Sequence, residues 1–426
     1  MKLTIINSLY HPHRVGGAEL SVQSIAEGLV RCGTQVTVLT LAGAFEPGIS
    51  EFNGVEIVRL PLSNLYWPFN THRPKPWKRL LWHAIDTVNP VPVTQVTSEL
   101  RRRRPDVLQT HNLAGFGPQV WLAAKSLGIP IVHTIHDYYL LCPKSTMFKQ
   151  SRSCTRQCLG CKAVRTPHRM LSKLVASVVG VSSFVLNRHL QAGLFPNAVS
   201  KVIYNGFDLD TAANTTTAPA REDGRTVIGY IGSISDAKGV SVLLDAVAGL
   251  NPKQFALEIA GVGKTDYQAE LQTKFPLMNV KFLGKVPVNQ FLPGIDVLVV
   301  PSVWAEPFGR VVVEAYLFGK PVVASHSGGI SELVEDGVTG FLVKPGDAEA
   351  LRSALNRFAP GTPRTLADPA ALRQITQRFG LQDLIQNYLQ VQGKIVPVRP
   401  EPVRSSTIHD NDADDANAMV TRSSGP

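Results

Sequence analysis

Short apolar runs alternate with helix-length amphipathic segments along most of the chain, a pattern that predicts parallel β-strands covered by helices. Leu3 to Asn7 reads as a first buried strand, Gly16-Gly17-Ala18-Glu19 as the turn behind it, and Leu20 to Cys32 as an amphipathic helix stopped at Gly33. Further strands are predicted at Gln35 to Thr40, Val55 to Leu60, Val107 to Thr110, Ile129 to Ile135 and Val178 to Val181. After Asn205-Gly206 the run TAANTTTAPAREDG has no hydrophobic periodicity and reads as a linker. The alternation then restarts, with strands expected at Thr226 to Ile231, Phe255 to Ala260, Val280 to Leu283, Val297 to Pro301 and Pro321 to Ala324. The expected fold class is α/β, with two doubly wound parallel-sheet domains facing each other across a cleft. Residues 1–205 form the first domain, 206–224 the linker and 225–372 the second domain. A helix within 373–395 is expected to pack back on the first domain, and the Pro-, Ser-, Asp- and Asn-rich residues 396–426 to be disordered.

A length of 426 residues suits two or three domains at about 100 to 200 residues each. No apolar run approaches the roughly 18 residues of a membrane-spanning helix, and the opening MKLTIINSLY lacks the long apolar stretch of a secretion signal. A cytoplasmic address is therefore expected. The formal charge of +10 is unevenly placed. From Tyr138 to Phe207 there is no Asp or Glu, while Lys144, Lys149, Arg152, Arg156, Lys162, Arg165, Arg169, Lys173, Arg188 and Lys201 are basic; a second basic stretch runs from Arg59 to Arg104. Such asymmetry suits an anionic partner, either a membrane surface or a phosphorylated acceptor, and the alternative is a solvated basic face. Nucleic acid is not expected, because no binding motif occurs and the cations are not interleaved with aromatics.

Neither half carries GxGxxG with an acidic residue about 20 positions on, nor GxxxxGK[ST], so nicotinamide and P-loop readings lose support. Gly16-Gly17 lies between a strand and a helix, where missing side chains let a phosphate approach backbone N–H groups; a plain tight turn is the alternative. At the matching place in the second half, Gly232 to Gly239, Lys238 can bring a point charge to a diphosphate. The densest signal is Glu306-Pro307-Phe308-Gly309-Arg310-Val311-Val312-Val313-Glu314, following the apolar Val297 to Val300. Its two carboxylates can each accept hydrogen bonds from vicinal hydroxyls, and the N–H groups near Gly309 to Val311 between them form an anion site. His136 follows the strand Ile129 to Ile135 and is expected to point into the cleft, because ligands of open α/β sheets sit beyond the carboxyl ends of the strands. Asp137 can orient it or position an acceptor, and His111-Asn112, behind another strand, is a second rim candidate.

In order and spacing, Gly16-Gly17-Ala18-Glu19, Lys238-Gly239, Glu306 to Glu314, Gly328-Gly329-Ile330-Ser331-Glu332 and Asp336-Gly337-Val338-Thr339-Gly340-Phe341 resemble family-4 retaining glycosyltransferases of the GT-B fold, two Rossmann-like domains, over about residues 1–392. The resemblance implies that Glu306 lies by the donor sugar hydroxyls and that Glu314 holds the nucleotide ribose. It also implies that the Phe308 to Val311 loop meets the diphosphate with Gly17 and Lys238, and that Lys285 and Val286 border the base. In similar enzymes the histidine matching His136 contacts the donor sugar near the reacting carbon. Many relatives have an arginine where this chain has Ser233, so one phosphate contact is missing or comes from elsewhere, such as Arg310.

The implied function is transfer of a hexose or deoxyhexose from a nucleotide diphosphate sugar to a glycan or polyprenyl-diphosphate-linked acceptor in bacterial polysaccharide or cell-envelope assembly. The expected place of work is the anionic inner face of the cytoplasmic membrane. A sugar-nucleotide epimerase of the same plan and a non-catalytic sugar-nucleotide-binding regulator are the alternatives. No cofactor is expected for catalysis. Cys142, Cys154, Cys158 and Cys161, spaced C-x11-C-x3-C-x2-C, fit a structural zinc site with four thiolates, the alternative being reduced thiols in a loop.

Overall fold

The computed structural model describes residues 1–13, 16–43, 46–69, 74–212, 224–362 and 366–396. The linker residues 213–223 and nearly all of the tail predicted to be disordered, 397–426, lie outside the described residues. The first lobe is built on β1 (Lys2–Ile6), β2 (Gln35–Leu41), β3 (Gly48–Phe52), β4 (Val55–Leu60), β5 (Val107–Thr110) and β6 (Ile131–Ile135). A small antiparallel hairpin, β7 (Phe148–Lys149) and β8 (Arg152–Ser153), stands apart, and β9 (Ser177–Gly180) and β10 (Val199–Val202) complete the sheet in the order β10-β9-β6-β5-β1-β2-β4-β3. The second lobe takes β11 (Thr226–Ile231), β12 (Phe255–Ala260), β13 (Val280–Gly284), β14 (Val297–Val300), β15 (Val322–Ser325) and β16 (Gly340–Val343), in the order β13-β12-β11-β14-β15-β16. Pairing is parallel in both sheets except at β3–β4.

Helices cover both faces, so the central strands are apolar without alternation: all four residues of β14 and all five of β6 are buried. Observed strands follow the predicted runs closely. One start moves, from Ile129 to Ile131, because the Ile129 N–H is spent on Ala124 O (3.0 Å) at a helix end and Pro130 has no N–H to give. The first helix begins earlier than predicted, at Gly17, since the Glu19 carboxylate turns back to accept from the Gly16 N–H at 2.7 Å.

The chain passes between the lobes at Phe207 and returns at Gly380, and the two crossings lie side by side: Phe207 N donates to Phe379 O (2.8 Å) and Leu381 N to Phe207 O (3.1 Å). The returning helix Leu381–Ile395 then packs on the first lobe. Ile385 lies so close to Gly28 that a Cβ there would meet Ile385 Cδ1 at 2.5 Å, and the Tyr388 hydroxyl pairs with Thr134 of β6 at 3.1 Å. The carboxyl ends of both sheets are thereby held toward one cleft.

Candidate active site

A cavity of about 660 Å³ opens between the lobes, lined from the first by Gly16, Gly17, Glu19, Asn112, His136 and Asp137 and from the second by Gly232, Lys238, Trp304 and the loop Glu306–Glu314. The loop follows β14 and ends in the helix Arg310–Leu317, whose N-cap Gly309 adopts φ 101°, a left-handed conformation that avoids side-chain strain only in glycine. The first amides of this helix, at Arg310 and Val311, have no acceptor one turn back and make an anion site at the cavity wall.

Glu306 is 8% exposed, and two donors converge on its Oε1: Lys238 Nζ at 2.7 Å and Ser302 Oγ at 2.5 Å. Oε2 is left to accept from a ligand hydroxyl. Lys238 also stands 5.3 Å from the centre of the Trp304 ring, so its ammonium is held by a carboxylate and an indole at the cavity edge. Gly17 faces Arg310 so closely that a Cβ there would fall 2.5 Å from Arg310 Cδ. The Arg310 guanidinium is already engaged: it donates to Ser21 Oγ (3.0 Å), pairs with Glu314 (3.4 Å) and stacks 4.4 Å over Phe207. Burial raises the Glu314 carboxyl, and Arg310 opposes that rise. Ser233 itself does not line the cavity; its carbonyl accepts from the Tyr230 hydroxyl at 2.7 Å.

On the facing wall a line of hydrogen bonds leads to His136. Gln392 Nε2 donates to Gln109 Oε1 (2.7 Å), Gln109 Nε2 lies 3.0 Å from His111 Nε2, and His111 Nδ1 lies 2.9 Å from His136 Nε2. Since the Gln109 amide can only donate, His111 Nε2 accepts, Nδ1 carries the proton, and His136 Nε2 accepts in turn. His136 therefore keeps its own proton on Nδ1, as a neutral donor. Burial, and secondarily the charge of Arg310, pushes His136 down to about 4, and burial lowers His111 as well, so both are uncharged at neutral pH. Burial pushes Asp137 up to about 6, although its Oδ1 accepts from the Tyr139 N–H at 2.7 Å.

The structure thus gathers Gly16, Gly17, Asn112, His136, Asp137, Lys238, Glu306, Phe308, Gly309, Arg310, Val311 and Glu314 around one space. His111 lies behind His136, and Lys285 and Val286 are not among the lining residues; Ile231 and Val288 line that side instead. Periodicity gave no signal for Ser302 or Trp304, which act through Glu306 and Lys238 respectively. The Gly328–Glu332 motif holds the cleft rather than lining it. Gly329 N donates to Glu306 O (2.7 Å), and the Glu332 carboxylate crosses to accept from Ser183 N (2.9 Å) and Phe184 N (2.7 Å) at the start of a first-lobe helix.

The structure gives no support to the zinc expectation for Cys142, Cys154, Cys158 and Cys161. Among the described residues no group of three or more His, Cys, Asp or Glu is arranged to hold a metal ion. Cys142 is buried and Cys158 exposed, with Cys161 Sγ 4.0 Å from Cys142 Sγ. Burial first, and then the neighbouring Cys158 and Cys142 thiols, pushes Cys161 up to about 12. Of the acid-free basic stretch, Arg165 is unavailable to any partner, being buried with its guanidinium 4.6 Å over the Tyr139 ring.

Residues 225–359 match the family described as "Glycosyl transferases group 1", and residues 15–211 match "Glycosyltransferase Family 4". A Klebsiella pneumoniae protein described as an uncharacterized 42.6 kDa protein in the cps region is 34% identical over 334 residues, covering 78% of this chain and 87% of that one. The lipopolysaccharide 1,2-N-acetylglucosaminetransferase of Salmonella typhimurium is 28% identical over 213 residues, 45% of this chain and 56% of the relative. Among solved structures, Anabaena Alr3699/HepE in complex with UDP and glucose superposes with a TM-score of 0.67 at 25% identity, covering 93% of this chain and 100% of that one. Sucrose-phosphate synthase from Thermosynechococcus elongatus shares the fold with a TM-score of 0.71 at 20% identity, over 92% and 98% of the two chains. With its two facing α/β lobes and this cleft between them, the chain belongs to glycosyltransferase family 4 and is a glycosyltransferase of the GT-B fold.

Proposed function

We propose that the protein moves a sugar, with retention of configuration, from a nucleotide diphosphate sugar to a glycan or polyprenyl-diphosphate-linked acceptor in bacterial polysaccharide or cell-envelope assembly, working at the anionic inner face of the cytoplasmic membrane. The observation that carries this reading is the Lys238–Glu306 pair beside the open amides of Arg310 and Val311: a cation, an anion site and a hydroxyl acceptor within one cavity. The cps-region and lipopolysaccharide relatives support the setting, and the UDP complex of the Anabaena protein supports the donor class.

In this reading the diphosphate meets the amides at Arg310 and Val311 and the backbone at Gly17, with Lys238 supplying the charge. As the bond from the anomeric carbon to the diphosphate breaks, negative charge grows on the leaving oxygens, where these donors are already aimed. Glu306 Oε2 accepts from sugar hydroxyls, Glu314 from the ribose, and His136 Nδ1–H donates to the sugar near the reacting carbon. The acceptor oxygen bonds to the anomeric carbon on the face the diphosphate leaves, and its proton passes to a departing phosphate oxygen. His136, held neutral with Nε2 occupied, serves as a donor and not as the base. Incubation with radiolabelled nucleotide sugars and a membrane-lipid extract tests the reading: label is expected in an acceptor-dependent product. Label recovered as an isomerised free sugar nucleotide would identify an epimerase, and binding without turnover would identify a regulator.

A further inference from the structure

The helix Pro76–Val88 is turned inside out relative to an ordinary surface helix. Trp77 (59% exposed), Leu80 (67%), Leu81 (44%) and Val88 (71%) face solvent together with Ala84, whereas Trp82, Asp86 and Thr87 are buried. At about 100° per residue, the five outward positions fall within an arc of roughly 100°, a continuous apolar stripe on the wrong side for folding. Cations flank it: exposed Lys75 precedes the helix, Lys78 stands with its Nζ 5.6 Å from the Trp77 ring centre, and no Asp or Glu occurs between Glu56 and Asp86. The stripe is held outward by its buried side. Asp86 accepts from Gly115 N at 2.7 Å and pairs with the Tyr139 hydroxyl, tying the helix to the loop that carries His136 and Asp137.

We infer that this face docks on an anionic lipid bilayer. The helix lies in the plane of the interface, with Trp77, Leu80 and Leu81 in the headgroup–acyl boundary and Lys75 and Lys78 on lipid phosphates. A protein partner fits less well. Thirteen residues make a helix about 20 Å long and a face of roughly 200 Å², far below the roughly 800 Å² per partner of a stable interface, and lysine beside the apolar centre is depleted in such interfaces. The inference rests on the membrane-borne acceptor proposed above, and it assigns the surface that meets the membrane. Through Asp86 and Tyr139, the docked helix holds the acceptor side of the cleft at a fixed height above the lipid.

The test is co-sedimentation of the full chain with vesicles of phosphatidylcholine alone or in equal parts with phosphatidylglycerol. Trp77→Ser/Leu80→Ser and Lys75→Gln/Lys78→Gln are compared with wild type after thermal melts establish unchanged folding. Wild type is expected on the phosphatidylglycerol vesicles. The apolar pair should lower partitioning at least about tenfold, and the lysine pair by about tenfold or more on anionic vesicles alone. Transfer to a water-soluble acceptor should be unchanged in both. Wild-type binding matched by both variants would overturn the docking face while leaving the membrane reading in place. No binding by wild type to either vesicle would overturn the membrane reading, and the docking face with it. A wild-type dimer that Trp77→Ser/Leu80→Ser converts to monomer by light scattering would assign the face to a second copy and overturn the proposal.

Discussion

Replacing Lys238 by Met removes the cation held 2.7 Å from Glu306, while Glu306 itself is 8% exposed. At an effective dielectric near 20 the gross attraction at this separation is about 6 kcal/mol. Lys238 is 27% exposed, so solvent screening and the cost of desolvating both groups bring the net coupling to about 1–2 kcal/mol. Lys238→Met leaves the carboxylate with only the Ser302 hydroxyl at 2.5 Å and should destabilise the protein by about 1–3 kcal/mol. Glu306→Gln should cost less, because the amide oxygen still accepts from Ser302 and Lys238 retains partial access to water and the Trp304 face. The double variant should recover about 1–2 kcal/mol relative to the sum of the singles in urea unfolding. In initial-rate assays of transfer, Lys238→Met should lower kcat by about a hundred- to a thousandfold, the loss expected when one preorganised group is taken from a developing negative charge. Additive stability effects within about 0.5 kcal/mol, together with a wild-type kcat for Lys238→Met, would refute both the pairing and the role of the cation.

Acidification should destabilise the protein. Burial lowers His83, His136 and His189 from 6.5 to about 4 and also holds His111, His133 and His168 well below 6.5, so the unfolded chain binds more protons and stability is lost as pH falls from 6.5 towards 4, about 1.4 kcal/mol per unit for each such group. Asp86 and Asp137, raised from 3.8 to about 6, act oppositely, their contribution being lost as pH rises through 6; the histidines outnumber them, so the melting temperature should be lower at pH 5 than at pH 7, and an equal or higher value at pH 5 would contradict the assignment. Gly309→Ala forces an L side chain into φ 101° with its Cβ 2.8 Å from Ile330 Cγ1, and should cost about 1–3 kcal/mol in denaturant unfolding and weaken donor binding by calorimetry. Gln109→Leu should free the His111–His136 pair to exchange tautomers, seen as altered imidazole nitrogen shifts by NMR and a lowered kcat; an unchanged spectrum would refute the tautomer assignment.

The repeating strand–helix theme was legible because parallel strands buried on both faces leave uninterrupted apolar runs such as Val297 to Val300. Five strands escaped the pattern, among them the two-residue β7 and β8. β3, with Gly48 to Glu51 exposed, and β10, half polar, are edge strands, and β16 is four residues starting at Gly340. Motifs with fixed spacing in one loop, Glu306 to Glu314 and Gly16-Gly17, marked the cavity, because chain geometry alone brings their atoms together. Contacts between distant segments left no such trace. Glu332 bonded to Ser183 and Phe184 and Gln392 bonded to Gln109 depend on how the lobes and the returning helix pack, and Trp304 under Lys238 on the pairing of β11 with β14. The cysteine spacing pointed toward metal, whereas among the described residues no group of three or more His, Cys, Asp or Glu is arranged to hold one. The outward apolar stripe of Pro76–Val88 was likewise invisible, since periodicity tells which residues share a helix face but not which way that face points.

The most direct test of the account is calorimetric titration of the purified protein with a panel of nucleotide diphosphate sugars, in wild type and in Gly17→Val, whose side chain would occupy the space against Arg310. One donor should bind wild type saturably at one site per chain and bind Gly17→Val at least about tenfold more weakly, with both proteins melting cooperatively. A panel in which no nucleotide diphosphate sugar binds the wild-type protein, or one bound equally well by both, would contradict the claim that this cleft grips the donor through its diphosphate.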